Sequence, residues 1–187
     1  KKIVQIAPAI GAGGAQVIDA RGRIVMPGFI DTHHHQFETA LRSFLPDAVL
    51  ENFRKSPRDT FNYYEKILLT FAPLYRPDDV YISALFGSLS QLDAGVTTVH
   101  DISQIHHTPE HSEALIRALD DSGRRCVVGY FEGNQNGAYP RYAYPTGAAD
   151  LKKRFFSSDD QLLTMTMGGE IYIPGYEAAW KIGRTCW

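Results

Sequence analysis

His33 and His35 are the residues whose type and spacing most directly offer chemistry. They close the run Pro27-Gly28-Phe29-Ile30-Asp31-Thr32-His33-His34-His35, an apolar strand pattern that ends in imidazoles two positions apart. Successive side chains on a strand point to opposite faces, so His33 and His35 project to one side and His34 to the other. An imidazole nitrogen sits about 2.0–2.1 Å from zinc, and same-face neighbours on a strand are separated by roughly 6.6 Å of rise. Modest convergence of the two side chains therefore lets both grip one divalent cation. A histidine tract can equally be a solvated loop or a tag remnant. Here the apolar lead-in from Ile24 to Ile30, its Pro-Gly punctuation and the carboxylate of Asp31 two residues ahead favour a metal site.

The elements that must position this pair follow from the pattern around it. From Met26 onward, strand-like runs alternate with helical stretches, as in βα units with a parallel sheet. Strand one is expected at Ile24 to Ile30, strand two at Val96 to His100, strand three at Arg125 to Phe131 and strand four at Gln161 to Met167. Helices are expected at Phe37 to Phe44, Thr60 to Phe71, Val80 to Ala94, Pro109 to Ser122 and Ala148 to Phe156. Asp78 or Asp79 would cap the third of these, and Gly95 would stop it. Lys2 to Ile6 and Gln16 to Ala20 read as short strands around a Gly-rich turn. The long Tyr/Pro/Gly/Asn-rich loop from Glu132 to Thr146 is of the kind that carries binding function, with Tyr139, Tyr142 and Tyr144 available to roof a planar ring or simply to pack.

These motifs resemble the amidohydrolase superfamily, whose barrels open on a Pro-Gly-apolar-apolar-Asp/Asn-x-His-x-His segment, matched here from Pro27 to His35. The stretch Leu92-Asp93-Ala94-Gly95-Val96-Thr97-Thr98-Val99-His100-Asp101 is similar to the family's junction into strand two. Thr108-Pro109-Glu110-His111, followed by Ala114 to Ser122, is similar to the helix after it. The resemblance is to the branch that contains cytosine deaminase, the S-adenosylhomocysteine and methylthioadenosine deaminases and the triazine hydrolases. It implies an α/β fold, the first half of a TIM-type (β/α)8 barrel (residues 26–187) preceded by part of a small β-sandwich (residues 1–25). A whole barrel takes about 250 residues, and the chain has 187. Half a barrel is what fits.

The resemblance further implies that a third histidine ligand, an acid-base glutamate, another histidine and an aspartate belong to strands five, six and eight, so no catalytic residue is expected within this chain. The complete enzyme would use its metal to activate water towards an electron-poor sp² carbon of a heterocyclic amine, with carboxylates moving protons to the leaving group. Displacement of a halide from a halogenated heterocycle is the close alternative. Two-metal members often carry a carboxylated lysine at the end of strand four. Gln161 to Pro174 contains no lysine, which favours one metal, zinc with iron as the alternative. Bridging by Glu170 is the minor possibility beside a structural turn.

Barrel sites lie at the C-terminal ends of the strands. Gln36 is thus placed to reach a small-molecule substrate, with strand-end hydrogen bonding as its bland alternative. The cluster His100, Asp101, Gln104, His106 and His107 follows strand two, and alternation lets only one of His100 and Asp101 face inward. His106 is taken as the substrate-contacting member, the others as loop residues, and a rescue metal site with His33 and His35 as a lesser option. Arg42 is read as part of a helix-packing salt bridge rather than a substrate clamp.

Composition narrows the rest. Hydrophobic residues at 44%, charged residues at 21% and a net charge of −2 describe a globular chain with no basic field for nucleic acid. No apolar run approaches the ~20 residues of a membrane span, and no leader pattern is seen, so the expected location is cytoplasmic. Cys126 and Cys186 make no disulfide framework. A half barrel would leave its first and fourth strands unpaired, so self-association or a homodimer is expected, and with it the rival possibility of a catalytically inactive fragment.

Overall fold

The computed structural model describes residues 2–44, 63–131, 147–168 and 181. Its centre is a four-stranded, all-parallel sheet in sequential order: β1 (Phe29–His34), β2 (Val96–Ser103), β3 (Arg125–Tyr130) and β4 (Leu163–Met167). Among the described residues three α-helices accompany it: α1 (Pro77–Asp93), α2 (Pro109–Asp121) and α3 (Ala148–Phe155). A 3-10 turn at Gln36–Leu41 and a wide π-type helical segment at Tyr64–Phe71 fill the long connection from β1 to α1. The sequential parallel order with helical crossovers is the arrangement expected of the first four barrel strands.

Local chemistry explains the boundaries. Pro77 opens α1, where its missing N–H costs nothing. The cap itself is Arg76, not Asp78 or Asp79. Asp79, three residues into the helix, reaches back to accept the Arg76 N–H at 2.8 Å. Gly95 ends the helix at φ +85°, a left-handed conformation that glycine adopts without strain. On α2, Leu115, Ile116 and Leu119 are buried. With Val99, Cys126, Val128, Leu163 and Met165 of the strands they belong to one continuous core. Each fully buried leucine there contributes about 2 kcal/mol. Cys126 is a free buried thiol whose pKa burial pushes up.

The largest departure from expectation is at the N-terminus. Residues 2–28 form no strand, and β1 begins at Phe29 instead of Ile24. Ile3, Val4 and Ile24 stand 81, 97 and 90% exposed. Lys2–Ile6 and Gln16–Ala20 have strand composition, but a strand needs a hydrogen-bonding edge, and among the described residues neither has one. The expected strand two runs three residues further, to Ser103, because β3 pairs with it through Tyr130. Glu170, the loop from Glu132 to Thr146 with its three tyrosines, and Cys186 lie outside the described residues.

Two register shifts in the β1–β2 ladder shape the strand that carries the histidines. Phe29 pairs with Val96 and Ile30 with Thr98, so Thr97 is an extra residue on β2. Asp31 pairs with Val99 and His34 with Asp101, which makes β1 one residue longer across that interval. Such bulges re-aim side chains. Thr97 packs onto Gly28, where a Cβ would lie 2.2 Å from its Cγ2 and 2.7 Å from its Cβ. The glycine of the Pro-Gly pair is therefore required by close approach of β2.

Candidate metal centre

β1 and the residue that follows it bring His33 and His35 to the same place. Their Nε2 atoms lie 3.3 Å apart and their rings meet edge to face, centroids 5.0 Å apart. Two nitrogens bound tetrahedrally at 2.0–2.1 Å stand about 3.3–3.4 Å from each other, so the pair already has the spacing of two ligands on one ion.

The second nitrogen of His35 fixes its tautomer. Nδ1 lies 2.6 Å from the Ile102 carbonyl oxygen and 3.0 Å from Oε1 of Gln104. A carbonyl only accepts, so Nδ1 carries the proton and Nε2 presents its lone pair. Both acceptors come from the end of β2 and the residue just after it, which locks the ring to the sheet. Gln104, expected only as a loop residue, is thus a support of the pair.

His34 turns to the opposite face, as alternation predicts. Its Nδ1 lies 3.1 Å from Oδ2 of Asp31 and 3.2 Å from Nε2 of Gln91 on α1. In an unbroken strand residues 31 and 34 would face opposite sides, and the bulge between them brings them together. Burial lowers the His34 pKa, with Asp31 working against it.

Asp101 is completely buried on the same side. Its Oδ1 accepts the Gln36 N–H at 2.9 Å, and burial raises its pKa to about 7, against the pull of that N–H and of Arg124. His100, its neighbour, packs beside Phe131, and burial lowers its pKa. Among the described residues no group of three or more His, Cys, Asp or Glu side chains is arranged to hold a metal. His33 and His35 therefore stand as a pair, and the rescue site with His100 or Asp101 is not assembled among the described residues.

The pair lines a cleft of about 440 Å³ whose wall includes Glu38, Arg42, Tyr63 and Gln91. Tyr63 donates its hydroxyl hydrogen to Oε1 of Glu38, and burial raises that carboxyl to about 7, the Tyr63 bond working against it. Neither residue was singled out from sequence. The usable signal was the position of Glu38, a carboxylate three residues past the last histidine. Arg42 stacks over the Phe86 ring, 4.8 Å from its centroid, and among the described residues it forms no ion pair, so the contact is cation–π and not the expected salt bridge.

The two residues expected to touch substrate sit elsewhere. Gln36 is fully buried, its Nε2 donating to Gln91 Oε1 at 2.6 Å. His106 is buried within the loop after β2, with Nδ1 2.9 Å from Ser112 Oγ and Nε2 3.3 Å from the Gly129 carbonyl. Burial lowers its pKa to about 3. Neither is among the residues lining the cleft.

The amidohydrolase family model matches residues 24–161, from the lead-in of β1 to the approach to β4. The chain belongs to the amidohydrolase family. It is 35% identical over 130 residues to a 5-methylthioadenosine/S-adenosylhomocysteine deaminase of Symbiobacterium thermophilum, covering 68% of this chain and 26% of that one. A 5'-deoxyadenosine deaminase of Methanobrevibacter smithii is 30% identical over 130 residues, 69% of this chain and 26% of its own length. This amidohydrolase chain thus spans about a quarter of the length of the curated relatives it matches. Among solved structures, an adenosine deaminase of Xanthomonas campestris with bound zinc superposes with a TM-score of 0.63 at 18% identity, over 90% of this chain and 38% of the other. A guanine deaminase of C. acetobutylicum with bound guanine gives 0.68 at 18% identity, over 94% and 41%. These likenesses establish the fold, an α/β half of a TIM-type barrel.

Proposed function

We propose that this chain supplies the first metal-binding half of a mononuclear hydrolase that removes an amino group from a heterocyclic amine, an aminopurine derivative in the first instance. The observation that carries the reading is the 3.3 Å separation of the His33 and His35 Nε2 atoms, with the His35 Nδ1 proton tied down by Ile102 and Gln104. Deaminases among the relatives and the zinc in one structural neighbour support it.

In this reading His33 and His35 hold a divalent ion, zinc with iron as the alternative. When bound, that ion supplies an activated water for attack on the ring carbon bearing the amine. The chain's own residues do the rest of what this half provides. The Ile102 carbonyl and Gln104 keep His35 in the ligand tautomer. Glu38, held by Tyr63, places a carboxyl of raised pKa on the cleft wall, able to hold a proton near neutral pH. Gln36 and His106 act through the protein groups they bond, not by touching substrate. The division into an N-terminal sandwich segment (residues 1–25) and a half barrel (residues 26–187) belongs to the same proposal. So do self-association over the exposed Phe29 and Ile30 and a cytoplasmic location. No helix among the described residues is long and apolar enough to cross a membrane.

The test is His33→Ala and His35→Ala, singly and together, in the full-length protein. Bound metal and ammonia release from an aminopurine nucleoside are measured side by side. Loss of both is expected in the double variant. Metal-dependent ammonia release that survives it refutes the reading, and chloride release without ammonia moves the protein to the halide-displacing alternative.

A further inference from the structure

Arg124, just ahead of β3, is 1% exposed, and among the described residues its guanidinium forms no ion pair. It donates from Nη1 to Oε1 of Gln91 and from Nη2 to Oγ of Ser88 at 3.1 Å, both on α1, while Nε has no acceptor among those residues. Burying a guanidinium without a direct counter-ion is expensive, and apolar residues of similar volume usually serve a core better. The contacts beyond Gln91 suggest what the arrangement is for.

Gln91 Oε1 also accepts from Gln36 Nε2 at 2.6 Å, and Gln91 Nε2 donates to Asp31 Oδ2 at 2.9 Å. The other oxygen of Asp31 accepts the His33 N–H at 3.2 Å. Oδ1 of Asp101 accepts the Gln36 N–H at 2.9 Å. Through Gln91, and through Asp31 beyond it, Arg124 is thereby linked to residues 31, 33, 34 and 36, around the two imidazoles. The network reaches the cleft itself, whose wall Gln91 and His34 form in part. It also lies where the β1–β2 ladder loses register, between Asp31 and His34. Regular strand hydrogen bonds do not hold that interval, so side chains must.

We infer that Arg124 and Gln91 are positioning residues, a clamp on β1 that sets the mutual placement of His33 and His35 for metal binding. This rests on the proposed metal role of the pair, and the experiment separates the two. The probes are zinc alone, titrated against a chromophoric chelator, and cobalt(II) alone, read by its visible d–d spectrum. Both are applied to the metal-free full-length protein and its variants, with melting temperatures recorded in parallel.

Arg124→Met and Gln91→Leu are each expected to weaken zinc binding 10- to 100-fold and to alter the cobalt spectrum. Arg124→Lys restores only part, since one ammonium cannot serve Gln91 and Ser88 in the fixed fork of a guanidinium. Ser88→Ala, which leaves the Gln91 branch intact, binds zinc as the parent does. If Arg124→Met does not fold, Gln91→Leu decides alone, being a shape-conserving change at a half-buried site. Folded variants that melt lower but bind zinc with parental affinity and spectrum overturn the inference and leave the metal reading standing. A parent that binds no more zinc than His33→Ala/His35→Ala overturns both.

Discussion

Substituting Gly28 by alanine tests whether the Pro-Gly pair is fixed by contact with β2. The added Cβ would lie 2.2 Å from Thr97 Cγ2, 2.3 Å from its Oγ1 and 2.7 Å from its Cβ. Carbon atoms rest at about 3.5–4.0 Å, so relief needs a displacement of about 1 Å. Rotating Thr97 about χ1 moves Cγ2 and Oγ1 but leaves Cβ in place, and no rotamer clears the clash. The strain must pass into the backbone of β1 or β2. Overpacking of this kind costs about 1–3 kcal/mol, and the fixed Cβ puts Gly28→Ala at the upper end. For a chain of this size that lowers the melting temperature by about 4–12 °C.

Thr97→Gly should relieve it, at its own cost of up to about 1 kcal/mol in strand propensity. A double-mutant cycle in urea, followed by far-ultraviolet circular dichroism, should then give a coupling of about 2 kcal/mol between the sites. Two results would refute the reasoning: Gly28→Ala within about 0.5 kcal/mol of the parent, or strict additivity of the pair. Either would mean that the glycine is not there for Thr97.

Two further expectations concern the supports of the site. Gln104→Leu leaves His35 Nδ1 only the Ile102 carbonyl and should weaken zinc binding by up to about tenfold in a chelator competition, with an unchanged affinity refuting the role. His107 is buried with Nε2 3.0 Å from the Ala72 carbonyl, and burial lowers its pKa to about 4. A histidine kept neutral in the fold is protonated more readily in the unfolded chain, so stability rises with pH through this window. The contribution is fully present above about 6.5 and declines as pH falls towards 4, by on the order of 3 kcal/mol. His107→Gln should flatten that part of the stability profile, and an undiminished slope between pH 6.5 and 4 would count against it.

The histidine pair was legible because strand alternation has a fixed period, and the faces of His33, His34 and His35 follow from counting. The parallel order followed from the alternation of strand and helix patterns. The bulges did not, since an extra residue in a ladder leaves no mark on hydrophobic periodicity. With them went the same-face pairing of Asp31 and His34. Lys2–Ile6 and Gln16–Ala20 misled because strand composition says nothing about whether a partner edge is at hand. His106 and Gln36 were placed correctly at the strand ends, but their hydrogen bonds to Gly129, Ser112 and Gln91 depend on residues 23, 6 and 55 positions away. Arg124 carried a faint signal, a charge at the threshold of an apolar strand. Only the three-dimensional arrangement gives it a partner.

The sequential strand order has a consequence for how the histidine pair comes into being. β1 meets β2 at Phe29 and Val96, 67 positions apart, whereas β2 meets β3 at Thr98 and Arg125, only 27 apart. Closing the longer loop costs about 0.8 kcal/mol more in chain entropy, and among the described residues β1 has a ladder on one side only. The histidine-bearing strand is therefore expected to dock after β2 and β3 have paired and to fray before them. Its amides should exchange with deuterium ahead of those of β2 and β3, and an ion held between the imidazoles of His33 and His35 would slow that exchange by joining the strand's chemistry to its anchoring.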